Sequence, residues 1–121
     1  MASHVLVVED SALLTNALRL LLEVTGHRVS VAATVRDAVS TARTTRPDVM
    51  LLDVTLQQED GLDVLRELER TGDAPRISVA LTGHDSPEVH ERCLAAGCRD
   101  VLVKPVSGAE LSARIDAWLQ E

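Results

Sequence analysis

The chain has no phenylalanine and no tyrosine, and its one large aromatic ring is Trp118. A core drawn from 121 residues must therefore be aliphatic, with Leu, Val and Ala supplying nearly all the burial. Lysine is almost missing as well: Lys104 stands alone beside eleven arginines. No apolar run approaches the ~20 residues that a membrane-spanning helix needs. The opening MASHVLVVED lacks the basic-then-apolar build of a signal peptide, so the expected location is cytoplasmic, with no membrane partner. A basic face is lacking too. At a net charge of −7 the domain has little with which to neutralise phosphates, which argues against direct nucleic-acid binding. Only two cysteines occur, Cys93 and Cys98, without partners at metal-ligand spacing. That argues against zinc and against a disulfide framework, and leaves two reduced, structural thiols.

What the sequence does have is alternation. Five short apolar runs read as strands buried on both faces: HVLVV (4–8), RVSVAA (28–33), DVMLLD (48–53), RISVALT (76–82) and RDVLV (99–103). Between and after them lie five amphipathic stretches. The first, 11–26, starts at Ser11, stacks Leu14, Leu18, Leu21 and Leu22 on one face, and stops at Gly26. Thr34 caps 35–45, and Leu62, Leu65 and Leu68 form the stripe of 62–72. Ser86 and Pro87 open 86–97, where Pro at the first helical position costs no hydrogen bond. Leu111, Ile115, Trp118 and Leu119 share a side of 107–120, which makes Trp118 a core residue. Five β–α units of this kind predict one α/β domain over 1–121, a doubly wound parallel sheet with helices on both faces.

In such a sheet, ligands bind beyond the carboxyl ends of the strands. Glu9 and Asp10 follow the first strand, Asp53 ends the third, Thr82 the fourth, and Lys104 follows the fifth. Each alone has a plain structural reading: a loop acid, a helix-start acid, a common loop threonine, a surviving lysine. Together they gather on one rim. Three carboxylates held close need a proton or a cation to compensate. All-oxygen ligands suit Mg²⁺, a lysine and a threonine hydroxyl suit phosphoryl oxygens, and an aspartate in that setting can attack phosphorus.

These motifs carry a family resemblance over essentially the whole chain. VLVVED, DVMLLDV with DGLDVL, VALTGHD and CLAAGCRDVLVKPV together resemble the receiver domain of two-component response regulators. The resemblance implies a flavodoxin-like fold with strand order 2-1-3-4-5. It also implies that Asp53 accepts a phosphoryl group from the phosphohistidine of a histidine kinase or a histidine phosphotransfer protein. Asp10, Asp53 and the Thr55 backbone carbonyl would hold Mg²⁺ (or Mn²⁺), with Glu9 acting through water. Thr82 and Lys104 would bind the phosphoryl oxygens. The turnover implied is self-phosphorylation and autodephosphorylation only, read out by a downstream output domain or protein. A homodimer is possible on the face of Asp100 and Arg114.

Three departures from the family pattern stand out. Val101 occupies the position where a Tyr or Phe commonly switches, leaving Thr82 as the switch residue. Gln57 replaces a common proline, which is expected to loosen its loop. Val106 replaces a frequent Phe. His84 either tunes water near the phosphoryl group or is a solvated loop residue. ERCLAAG with LVKPV has the flavour of hybrid histidine kinases, so a phosphorelay receiver is the alternative context. A haloacid-dehalogenase-type phosphatase would want Asp-x-Asp after the first strand, where the chain has Glu9-Asp10. A flavin or nucleotide module would want a Gly- or Ser/Thr-rich first loop instead of two acids.

Overall fold

The computed structural model describes residues 3–121. In chain order the elements are β1 (His4–Val8), α1 (Ala12–Val24), β2 (Arg28–Ala32), α2 (Val35–Thr45), β3 (Val49–Asp53), β4 (Thr55–Leu56), β5 (Glu59–Asp60), α3 (Leu62–Arg70), β6 (Ile77–Thr82), α4 (Pro87–Ala96), β7 (Asp100–Val103) and α5 (Gly108–Leu119). Five strands form one parallel sheet in the order β2-β1-β3-β6-β7. With the short β4–β5 ladder set aside, this is the expected 2-1-3-4-5, a flavodoxin-like α/β fold.

The unbroken apolar strands are explained by the two layers they separate. Successive side chains point to opposite faces, and both faces are covered over the central strands; β2 departs from the expected double burial because it is an edge strand, and Arg28 and Val31 are exposed. Leu6, Val8, Met50, Leu52, Ala80 and Val101 pack with Ala38, Ala42, Leu65, Leu68 and Cys93 of α2, α3 and α4. Val5, Val7, Leu51, Val79 and Leu81 pack on the other side with Leu18 and Leu22 of α1 and Leu111, Ile115 and Trp118 of α5. Trp118 is core, as its spacing requires.

The caps work as read from the sequence. Ser11, Thr34 and Ser86 each accept a backbone N–H of the first helical turn, and Ser107, not expected as a cap, does the same for the last helix. Helix ends are shorter than expected by a residue or two. The 11–26 stretch is helical over Ala12–Val24 and is closed where expected, at Gly26, whose φ of +95 lets the Gly26 and His27 N–H groups close onto the Glu23 and Leu22 carbonyls. Likewise the 62–72 stretch stops at Arg70, with Gly72 at φ +75 and the Gly72 and Asp73 N–H groups closing onto the Glu69 and Leu68 carbonyls. Cys98 N–H closes onto the Cys93 carbonyl at 3.0 Å around Gly97, whose φ of +111 only glycine adopts readily. Both thiols are free and buried. The unexpected element is the two-residue antiparallel ladder, Thr55 opposite Asp60 and Leu56 opposite Glu59.

Candidate functional site

The sheet register assembles the rim. Asp53 pairs with Leu81 on β6, Thr82 pairs with Val103 on β7, and Lys104 N–H donates to the Thr82 carbonyl at 2.7 Å. On the other side, Glu9 N–H continues the β1–β2 ladder to the Ala32 carbonyl. Side chains distant in sequence thus leave adjacent strand ends together.

Glu9, Asp10 and Asp53 each present a carboxylate oxygen such that all three lie within 4.8 Å of one another. Glu9 and Asp53 are only 3% and 5% exposed, while Asp10 is half-buried. Lys104 Nζ reaches back over the edge to donate to Glu9 Oε2 at 2.9 Å and Asp53 Oδ2 at 3.1 Å. The lone lysine is therefore the counter-charge of the pocket. Arginine's planar fork is built for bidentate pairing with one carboxylate, whereas a compact ammonium can serve two acids and still turn to a ligand.

The remaining oxygens are held by backbone. Asp53 Oδ1 accepts Thr55 N–H at 3.0 Å, Glu9 Oε1 accepts Ser11 N–H at 3.1 Å, and Asp10 Oδ2 accepts Gln57 N–H at 2.8 Å. Burial pushes the Glu9 carboxyl above its ordinary range, against the opposing pull of the Lys104 ammonium and the Ser11 N–H, with the Asp53 charge adding to the rise. For Lys104, burial works against the ammonium, but donation to Glu9 and Asp53 outweighs it and holds the pKa above the usual value. Lysine stays charged at any physiological pH.

Thr82 is 2% exposed, and its Oγ1 accepts His84 N–H at 3.1 Å. The hydroxyl proton has only a long contact to the His84 carbonyl, 3.4 Å, so it is available to a better acceptor. His84 itself is exposed, and its backbone N–H donates to the Thr82 hydroxyl oxygen. Thr55 is exposed and sits at the start of the ladder. Val101 is buried opposite Ala80. It is a strand residue inside the α2–α4 core and cannot swing as an exposed ring would. Arg114 Nη1 bonds Asp100 Oδ2 at 3.0 Å within the chain.

Two site residues escaped the sequence reading. Gln57 turns the hairpin with φ +47, and its amide is bound to Asp10. Gly61 lies so close to the end of β3 that a Cβ there would fall 1.7 Å from the Asp53 carbonyl oxygen. The available signal was the Asp60-Gly61 pair, the strongest turn-forming dipeptide in that loop.

Chemically, three oxygen-only ligands around one ammonium leave the pocket short of positive charge. Donor type and spacing both fit a hard divalent cation that keeps several waters, such as Mg²⁺. Glu9 and Asp10 also line an open cleft of about 500 Å³ with Thr15, Asn16 and Asp37, through which solvent reaches Asp10.

The sequence profile of the response regulator receiver domain matches residues 5–116. The transcriptional regulatory protein AfsQ1 of Streptomyces coelicolor is 40% identical over 115 residues, 95% of this chain and 50% of that protein. Response regulator MprA of Mycolicibacterium vanbaalenii is 39% identical over 120 residues, 99% of this chain and 52% of that protein. The chain thus spans about half the length of the curated relatives it matches. Among solved structures, the receiver domain of sensor histidine kinase PA1611 from Pseudomonas aeruginosa superimposes with a TM-score of 0.89 at 31% identity over the whole of both chains. That structure carries a magnesium ion coordinated in its active-site cleft.

Proposed function

The chain belongs to the response regulator receiver family of two-component signal transduction, and from that premise we propose that Asp53 is its phosphoryl acceptor. The observation that carries the assignment is Lys104 Nζ lying 3.1 Å from Asp53 Oδ2 inside a cluster of three acids. An oxygen of Asp53 forms the bond to phosphorus as the phosphorus–nitrogen bond of a donor phosphohistidine breaks, and the imidazole leaves with the electron pair. Asp53 is fixed for attack by Thr55 N–H on one oxygen and Lys104 on the other. As the phosphoryl group arrives, the ammonium turns onto one of its oxygens and the Thr82 hydroxyl donates to another. Glu9, Asp10 and Asp53, with the Thr55 carbonyl, are the residues that would hold Mg²⁺. When bound, the ion neutralises charge on the acids and on the transferring group.

The donor is a histidine kinase or a histidine phosphotransfer protein, and the reader is an output domain or separate protein, all in the cytoplasm. No helix among the described residues is long and apolar enough to cross a membrane. The phosphorelay context is the second reading, favoured by the full-length likeness to a sensor-kinase receiver and by Val101, since a relay station has less need of a moving ring.

The test is labelling with acetyl phosphate and Mg²⁺, followed by intact mass. One phosphoryl adduct is expected on the wild type, none on Asp53→Asn, and little when Mg²⁺ is chelated. An Asp53→Asn protein that labels like wild type sinks the assignment.

A further inference from the structure

The parallel sheet ends in β7 on one side and β2 on the other. Arg28 N–H donates to the Ser3 carbonyl and the Ala32 carbonyl accepts Glu9 N–H, so Arg28, Ser30 and Ala32 turn their backbone groups toward β1. By alternation Val29, Val31 and Ala33 turn theirs outward, and no backbone partner meets them among the described residues. A free edge is a template for another strand, and proteins guard it with lysine, proline or a bulge. β2 has none of these: it reads RVSVA, in unbroken register with β1. Val31, in the middle of the open edge, is 40% exposed. The helices beside it show only small or polar side chains there, Ala12, Thr15 and Asn16 on α1 and Ser40 and Thr41 on α2. Charge changes sign along the edge. Arg28 stands exposed at its start, whereas the cleft at its end holds Asp37, Asp10 and Glu9 and no basic residue.

We propose that a second copy of this chain covers the edge, β2 pairing antiparallel with its own counterpart about a two-fold axis at Val31. A two-fold interface must be complementary to itself, and this register is. The outward N–H and C=O of Val31 exchange hydrogen bonds with the partner's Val31, and those of Val29 with the partner's Ala33. The two exposed valines become a cross-strand pair. Arg28 falls opposite the partner's Thr34, whose backbone is still extended at φ −130 and ψ 161. Thr34 caps α2, and Asp37 lies in the first turn of that helix. Arg28 shares a sheet face with Ala32, which packs on the α2 side. Each guanidinium therefore meets the partner's Asp37, twice over by symmetry. Centring on Val29 instead would set Arg28 opposite the partner's Ser30 and leave the acids unmatched. The result is one continuous sheet through both copies, joined at the edge opposite β7 and the Asp100–Arg114 pair. It is independent of which residue accepts a phosphoryl group.

Sedimentation velocity over a concentration series tests this, and the wild type is expected to show a concentration-dependent dimer. Val31→Pro removes an outward N–H that takes no part in the β1 ladder, a place where an edge strand tolerates proline. It is expected to be monomeric with an unchanged circular dichroism spectrum. Arg28→Glu is expected to raise the dissociation constant about tenfold or more, since it turns two attractions into two repulsions. Adding Asp37→Arg to Arg28→Glu restores opposite charges and is expected to return the constant to within about threefold of wild type. A wild type that stays monomeric up to its solubility limit overturns the proposal. So does a dimer indifferent to both Val31→Pro and Arg28→Glu. A dimer that Arg114→Glu abolishes and Val31→Pro spares lies on the β7 edge, which also overturns it. Should Val31→Pro not fold, the charge exchange decides: a double variant no tighter than Arg28→Glu alone refutes the register.

Discussion

Replacing Asp10 by Asn removes one of three negative charges from the rim and keeps a side-chain oxygen for the Gln57 N–H. Its effect on stability follows from the geometry. Carboxylate oxygens within 4.8 Å repel by about 3.5 kcal/mol per pair at an effective dielectric of 20, and by about 0.9 kcal/mol in bulk water. Asp10 is half-buried and open to the cleft, so values toward the solvent end apply. Its two repulsions together amount to about 2–3 kcal/mol, and attraction to the Lys104 ammonium offsets roughly one of them. Asp10→Asn should therefore stabilise the metal-free protein by about 1–2 kcal/mol, a melting point roughly 4–8 °C higher for a domain of this size. The gain should shrink with added salt. Magnesium should raise the melting point of wild type by mass action and leave Asp10→Asn nearly unmoved.

The same experiment has a pH arm with a definite sign. The folded-state pKa of Glu9 is raised, chiefly by burial, so the folded protein holds that proton more tightly than the unfolded chain. Stability from this group is present at low pH, below the ordinary carboxyl value of 4.5, and is lost as pH rises through the folded pKa. A protonated Glu9 no longer repels Asp10. The advantage of Asp10→Asn should be largest near neutrality and narrow as the pH falls through the raised folded-state pKa of Glu9. Thermal melts in EDTA at low ionic strength decide the matter. An Asp10→Asn protein that melts at or below wild type at pH 7.5 refutes the charge argument.

Two further outcomes are specific. Gly61 has an ordinary helical φ of −59, so its glycine serves space and not conformation; with a Cβ 1.7 Å from the Asp53 carbonyl, Gly61→Ala should cost about 3 kcal/mol or more and displace Asp53. Urea unfolding within about 1 kcal/mol of wild type, with normal labelling, would contradict the close approach. Burial, with Cys93 adding to it, pushes the Cys98 thiol up to about 12. Its thiolate fraction at pH 8 is about one in ten thousand, so iodoacetamide should label the native protein about a thousandfold more slowly than the urea-unfolded chain, where the ordinary value of 9 applies. The raised thiol lends stability below pH 9 that fades as pH climbs toward 12. Native labelling as fast as unfolded would show the thiols to be open.

The fold was legible because the central strands are apolar along nearly their whole length and the helices have striped faces. Val49–Leu52 are buried without exception, a pattern that only a doubly covered sheet produces. Helix ends were legible to within a residue or two, since Gly26 and Gly72 take positive φ just past their helices, while the last turn before each glycine gives no sign of where the helix proper stops.

The site divides along the same line. Side chains that do chemistry announce themselves by type and position, and Glu9, Asp10, Asp53, Thr82 and Lys104 stand at strand ends where parallel-sheet geometry must gather them. Backbone donors carry no such label. The hairpin turn reads Gln57-Gln58, with neither glycine nor asparagine to signal positive φ. Its conformation is settled by Asp10, a partner 47 residues away, and a window long enough to see a turn is too short to see that bond. In three dimensions the residue standing in proline's common place supplies an N–H to Asp10, a bond that no local reading of Gln57 as a looser turn could contain.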